Sequence, residues 1–269
     1  MDWNKTKSLF IIVFAILNVF LYSLYLDRYT EAQNVTPLGT TTAEEKLAAE
    51  DITYPTLSEK IEEAPYVTGK MKTFIAADVP GTNLEMDVEN ENQLTVEFDE
   101  PLPLSGKVST ETLTEFVEKT VFEGTQYVLW EIDEKQKKAL FFQEIDGKPL
   151  FYSNSGLLVL HWDENNEIIG YEQTIYENLE AGELKKNLVP AIQAIHTLYQ
   201  RRLLQANTNI DEVVLGYSEY VTVSENTQMF LPTWRISATL EDGSKEEHFV
   251  NAVKDGVIEM KKDDKELVQ

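Results

Sequence analysis

The chain has no cysteine, only three histidines and few basic residues: 23 Lys and Arg face 47 Asp and Glu over 269 positions. Each shortage removes a class of function. Without thiols there is no disulfide scaffold, zinc ribbon, iron–sulfur centre or cysteine nucleophile. A formal charge of −24 repels phosphate backbones and disfavours nucleic-acid binding through a basic face. His161, His196 and His248 lie in unrelated segments with no HxxxH partner, and read as surface or boundary residues rather than metal ligands. The chain also lacks GxSxG, SxxK, GxGxxG and Walker patterns, so neither a nucleophilic hydrolase nor a nucleotide cradle has a motif to stand on.

The abundant carboxylates are uninformative, because so many must approach one another by chance. The stretch from Asp163 to Glu167 offers oxygen ligands but lacks the glycine and the spaced acids of a calcium loop, and reads as a hairpin turn. Catalytic, cofactor-binding and metal-ligating residues are therefore all assigned as none, and an extracellular hydrolase is the weakest of the readings. Trp234, Tyr217 and Tyr220 could anchor a partner, although their alternating placement favours core burial.

One stretch stands apart. Ser8 to Leu26 carries no charge, glycine or proline, and 13 of its residues are Leu, Ile, Phe or Val. At ~1.5 Å per helical residue it reaches about 28 Å, close to the ~30 Å hydrocarbon thickness. It lacks the polar face of a core helix and exceeds the apolar core of a cleaved signal peptide. The expectation is an uncleaved transmembrane helix over 8–26. Lys5 and Lys7 precede it, so positive-inside logic keeps a tail of residues 1–7 cytoplasmic and puts the rest outside the cell membrane. Within the span, Ile11, Ala15, Asn18, Tyr22 and Tyr25 recur at alternating spacings of four and three, which places them on one helical face. A small residue, an amide and two phenols suit helix association in lipid.

Beyond the span, residues 27–53 read as a tether. Ser109 or Thr110 caps a helix with Leu113, Phe116, Val117 and Val121 at helical spacing, and short strands follow. A second helix is expected through 183–204, with Leu184, Leu188, Ile192, Ile195 and Tyr199 as its stripe and Pro190 as a kink or first turn. Alternating runs around Asn90 to Asn92 suggest a hairpin. The expected fold class is α+β: a single transmembrane helix, then two helix-plus-antiparallel-sheet units at 54–179 and 180–260, and a charged tail at 261–269.

The opening Met1, Asp2, Trp3, Asn4, Lys5, Thr6, Lys7, the uncharged span behind it, and the segments IQAIHTLYQRRL, EVVLGY, LPTWRI and FVNAV resemble the YycI family, also called WalI. The resemblance covers essentially the whole chain. It implies a single-pass, non-enzymatic regulator in low-GC Gram-positive bacteria. Together with a YycH-like partner, such a protein packs against the transmembrane helices of the WalK sensor histidine kinase, which phosphorylates WalR and controls cell-wall metabolism. It also implies an exterior α+β fold shared with part of YycH, and no cofactor. The alternative from a different class is a membrane-anchored extracytoplasmic module that binds a ligand or peptide.

Overall fold

The computed structural model describes residues 42–259, apart from 59, 61, 76–91 and 154, together with Lys7, Phe10, Val13, Phe14, Leu17, Asn18, Leu21 and Tyr22. The chain divides into two compact units, Met1–Thr42 and Ala43–Gln269. In the first, the described residues from Lys7 to Tyr22 are helical and exposed. No helix among the described residues is long and apolar enough to cross a membrane, and most of the expected span lies outside them.

The second unit contains three α-helices and twelve strands among its described residues. The helices are α1 (Ala43–Ala49), α2 (Thr110–Thr120) and α3 (Ala191–Gln200). One sheet runs β12 (Gly256–Ile258), β11 (Lys245–Asn251), β10 (Thr227–Thr239), β1 (Glu63–Met71), β8 (Tyr176–Asn187), with β9 (Asn209–Ser224) along the other edge of β10. The second sheet runs β2 (Leu94–Pro103), β7 (Glu167–Gln173), β6 (Leu157–Trp162), β4 (Lys138–Ile145), β3 (Tyr127–Asp133), with β5 (Lys148–Pro149) paired to β4. Every pairing between these strands is antiparallel. The α+β class with antiparallel sheets and few helices is as expected.

Alternation along the strands builds the layers. In β4, Ala139 and Phe141 face a cluster under α2 that includes Leu113, Val117, Leu158, Leu160 and Tyr171. Leu140 and Phe142 point the other way, to meet Phe151, Tyr152 and Phe249. In β10, Trp234, Ile236 and Ala238 pack under α3 and α1 with Leu47, Ala194, Ile195 and Leu198. Each sheet thus has helix on one face and turns part of its other face toward its neighbour. Every buried apolar residue among the described ones lies from Leu47 onward, so the fragment 43–269 carries its own core.

The first expected helix is present. Ser109 is its N-cap, and the cap is reciprocal: the Thr112 amide donates to Ser109 Oγ at 3.3 Å and the Ser109 amide to Thr112 Oγ1 at 3.1 Å. The second is shorter than expected. Pro190 is its N-cap, and residues 183–187 belong to β8, where Lys185 and Lys186 pair with Pro65 and Ala64. Proline supplies no amide and pushes the residue before it toward extended backbone, so the helix begins after it. Leu184 consequently leaves the apolar stripe and is 75% exposed.

One further expectation needs correction, and another lies partly outside the described residues. The division at 179/180 falls inside β8, and β1 joins the strands of the later half, so the two helix-plus-sheet layers are not contiguous in sequence. The hairpin around Asn90 to Asn92 has its first arm outside the described residues, and its second arm, β2, pairs with β7. Pro232, mid-strand in β10, sits at a fork: β1 pairs with β10 at residues 227–230 and β11 at 233–239. The Pro232 carbonyl accepts from the Ala252 amide at 3.0 Å, and its missing donor faces the gap between the two neighbours.

The two sheets are stitched where the chain leaves β5. The Leu150 amide donates to the Gln143 carbonyl at 2.8 Å, and the Phe151 amide then donates to the Tyr217 carbonyl in β9 at 2.7 Å. This approach requires a bare backbone at Gly216, where a Cβ would collide with the Phe151 ring and the Pro149 carbonyl. Gly216→Ala is therefore expected to destabilise the fragment 43–269 by about 2 kcal/mol or more. Urea unfolding measures this, and a midpoint equal to wild type would contradict the stitch.

Candidate functional site

Of the face expected to meet a partner, Asn18 and Tyr22 are described. Both are helical and exposed, and their spacing of four places them on one side. Lys7 is likewise helical and exposed. Ile11, Ala15, Tyr25 and the opening Met1, Asp2, Trp3, Asn4, Lys5 and Thr6 lie outside the described residues.

The histidines are scattered. His161 in β6 lies 3.5 Å from Glu172 across the ladder, and its hydrogen bond holds the Glu172 carboxyl below the usual range. His248 in β11 lies 3.2 Å from Glu246. His196 departs from the surface or boundary reading: it is 7% exposed on α3, and neither ring nitrogen has a hydrogen-bond partner. It stacks against Tyr199. No group of three or more potential metal ligands occurs among the described residues. Asp163 to Glu167 forms the β6–β7 turn, with the Asp163 carboxylate accepting from the backbone amides of Asn165 and Glu167. Those bonds hold its pKa low, and they also occupy an oxygen that a cation would need.

The densest polar constellation lies between the sheets. The Arg235 guanidinium stands 4.1 Å from the centre of the Trp130 ring, joining β10 to β3. Its Nε donates to Glu247 at 2.8 Å, its Nη2 contacts the same carboxylate, and its Nη1 donates to Glu212 at 2.7 Å. The Tyr152 hydroxyl donates to the other oxygen of Glu247, and burial pushes that phenol's pKa up, with the Glu247 charge adding to the effect. Trp130 also packs on Phe142, Phe151 and Tyr152. Arg235 is answered by Glu247 and Glu212, and Glu247 by Arg235 and Tyr152. The cluster is a joint.

The aromatics considered as anchors divide. Trp234 is buried and donates its Nε1–H to the Val189 carbonyl at 2.8 Å, and Tyr217 is buried. Tyr220 is 49% exposed and stacks on Tyr66.

Two measurements follow. Arg235→Ala leaves Glu247 half-enclosed without its cation and should cost about 2–4 kcal/mol in urea unfolding. Arg235→Lys should restore less than half of that, because an ammonium supplies neither the fork nor the flat face against Trp130. For His196, burial lowers the folded-state pKa, with Lys46 pushing the same way and Asp255 opposing. The unfolded chain therefore takes up the proton first, and stability is lost as pH falls through the unfolded value of ~6.5 toward the folded one. Unfolding of 43–269 at pH of about 7.5 and about 5.5 should show a drop that His196→Leu reduces. An equal drop in both proteins would mean that the imidazole is not the source.

The family described as YycI protein matches residues 30–253. No curated protein matches the chain. Among solved structures, an uncharacterized protein from Eubacterium rectale ATCC 33656 is similar at 11% identity and a TM-score of 0.48, over 78% of this chain and 91% of that one. The family match takes in all three helices of the second unit and every strand but β12, and the protein belongs to the YycI family.

Proposed function

We propose that this protein regulates a WalK-type sensor histidine kinase from within the membrane, through contacts of its N-terminal helix with the kinase's own transmembrane helices and with a YycH-like partner. Membership of the YycI family assigns it to the regulators of the WalK two-component system and not to the enzymes. The observation that supports the finer reading is the uncharged run from Ser8 to Leu26, directly ahead of the family-matched region. In this reading the chain is a single-pass cell-membrane protein with its N-terminus cytoplasmic and its second unit extracytoplasmic.

A helix biases a kinase between two signalling states only by binding one of them more tightly, and about 1.4 kcal/mol of difference changes their ratio tenfold. One interhelical amide hydrogen bond in lipid averages about 0.6 kcal/mol. Asn18 alone falls short, so packing along Ile11, Ala15, Tyr22 and Tyr25 and contacts of the second unit must add to it.

The test is co-purification of kinase and YycH-like partner from membranes with Asn18→Leu and Ala15→Phe, each compared with wild type. Both variants should reduce kinase recovery several-fold while the second unit remains folded. Undiminished recovery with both would remove the helix-face mechanism.

A further inference from the structure

A groove of about 490 Å³ opens where the segment before β3, the β4–β5 turn and the start of β8 converge. Its apolar wall is formed by Phe122, Ile145, Ile175 and Leu179. Its charged lining is one-sided: Glu123, Glu144, Asp146 and Glu177 stand against Lys72, with Glu177 also 3.6 Å from the Lys70 ammonium. Carboxylates spread along a groove match several cations carried on one ligand better than a single ion.

Two internal contacts show what the groove accepts. The Lys72 ammonium lies 5.4 Å from the centre of the Phe122 ring and 5.9 Å from that of Phe74, so a cation already rests on the aromatic wall. At Tyr176, the Gln143 side-chain amide accepts from the backbone N–H at 2.8 Å and donates to the carbonyl at 2.8 Å, as a neighbouring strand would. Just beyond, β8 departs from its register with β1 at Asn178, whose φ is 53°. Gln143 thus closes the Tyr176 main chain, and what the groove offers a ligand is its apolar wall and its surplus of negative charge.

We propose that this groove binds a basic peptide segment of a partner protein, its guanidinium or ammonium groups meeting the carboxylates and their aliphatic stems lying along Phe122, Ile145 and Leu179. Long basic side chains suit such a surface because stem and head are satisfied separately. A small amine would meet the charges but leave the wall unused.

The test uses the full-length protein in detergent micelles and a fluorescein-labelled tetra-arginine amide, followed by anisotropy at low salt. The triple variant Glu144→Gln, Asp146→Asn, Glu177→Gln should bind roughly tenfold more weakly, the loss expected for three solvent-screened charge contacts. Asparagine is chosen at position 146 because the φ of 52° there is one it tolerates. A control triple of equal charge change in turns that do not line the groove, Glu134→Gln, Glu164→Gln, Glu241→Gln, should bind nearly as wild type. Spermine should displace the peptide only weakly. No binding by wild type, equal losses in the two triples, or displacement by spermine as effective as by unlabelled peptide would each overturn the proposal, the last by reducing the groove to a trap for any polycation.

Discussion

The second unit depends on a short piece of backbone changing sheets. Leu150 still gives its amide to the Gln143 carbonyl in β4, whereas Phe151, one residue on, gives its amide to Tyr217 in β9. That transfer brings the Phe151 ring between Trp130 and Phe249 and carries Tyr152 to Glu247, so the aromatic and ionic parts of the joint are both built from it. An ion pair taken out of water is costly unless its remaining hydrogen-bonding positions are filled. Here the guanidinium fork is filled by Glu247 and Glu212 and its flat face by Trp130, while Tyr152 serves the second oxygen of Glu247. The joint fixes how the sheets meet.

Much of this architecture was legible in the sequence, for reasons that are local. The capped helix α2 announces itself because Ser109 and the spacing of Leu113 and Val117 are signals within one turn or two. The strands from Tyr127 to Gln173 are rich in β-branched and aromatic residues and are separated by recognisable turns, so they too read directly. What escaped was long-range. β1 contains Pro65 and Gly69, which weaken any strand pattern, yet it lies between β10 and β8. It tolerates Pro65 because the ladder with β10 covers Val67–Lys70 and the ladder with β8 is shifted at Pro65.

The joint and the groove were hidden for the same reason. Trp130, Tyr152, Arg235 and Glu247 are separated by up to more than a hundred residues and carry no motif; only the pairing of β10 with β11 and the Phe151 crossing bring them together. The helical reading of residues 183–187 failed because period alone cannot say whether Leu184 continues a stripe or stands on a strand edge. Pro190 decided it. His196 was one step off the apolar stripe on paper, but α3 is covered on more than one side, so its ring is enclosed with its neighbours.

The start of the second unit is tied firmly to its core. Its first element, α1, is only 7 residues long and would be marginal alone, so its order must come from packing. Leu47 supplies that packing, being fully buried against α3 and the first sheet. The exit is held as well: the Ile52 amide donates to the Leu47 carbonyl at 3.0 Å, the Thr53 amide to Thr208 at 3.1 Å, and the Ile210 amide returns to Thr53 at 2.8 Å. The segment after α1 is therefore tied by main-chain bonds to the start of β9, the strand that further along receives Phe151 through Tyr217. The same strand thus links α1 and the segment after it to the joint between the sheets, so the two are built on one continuous run of backbone.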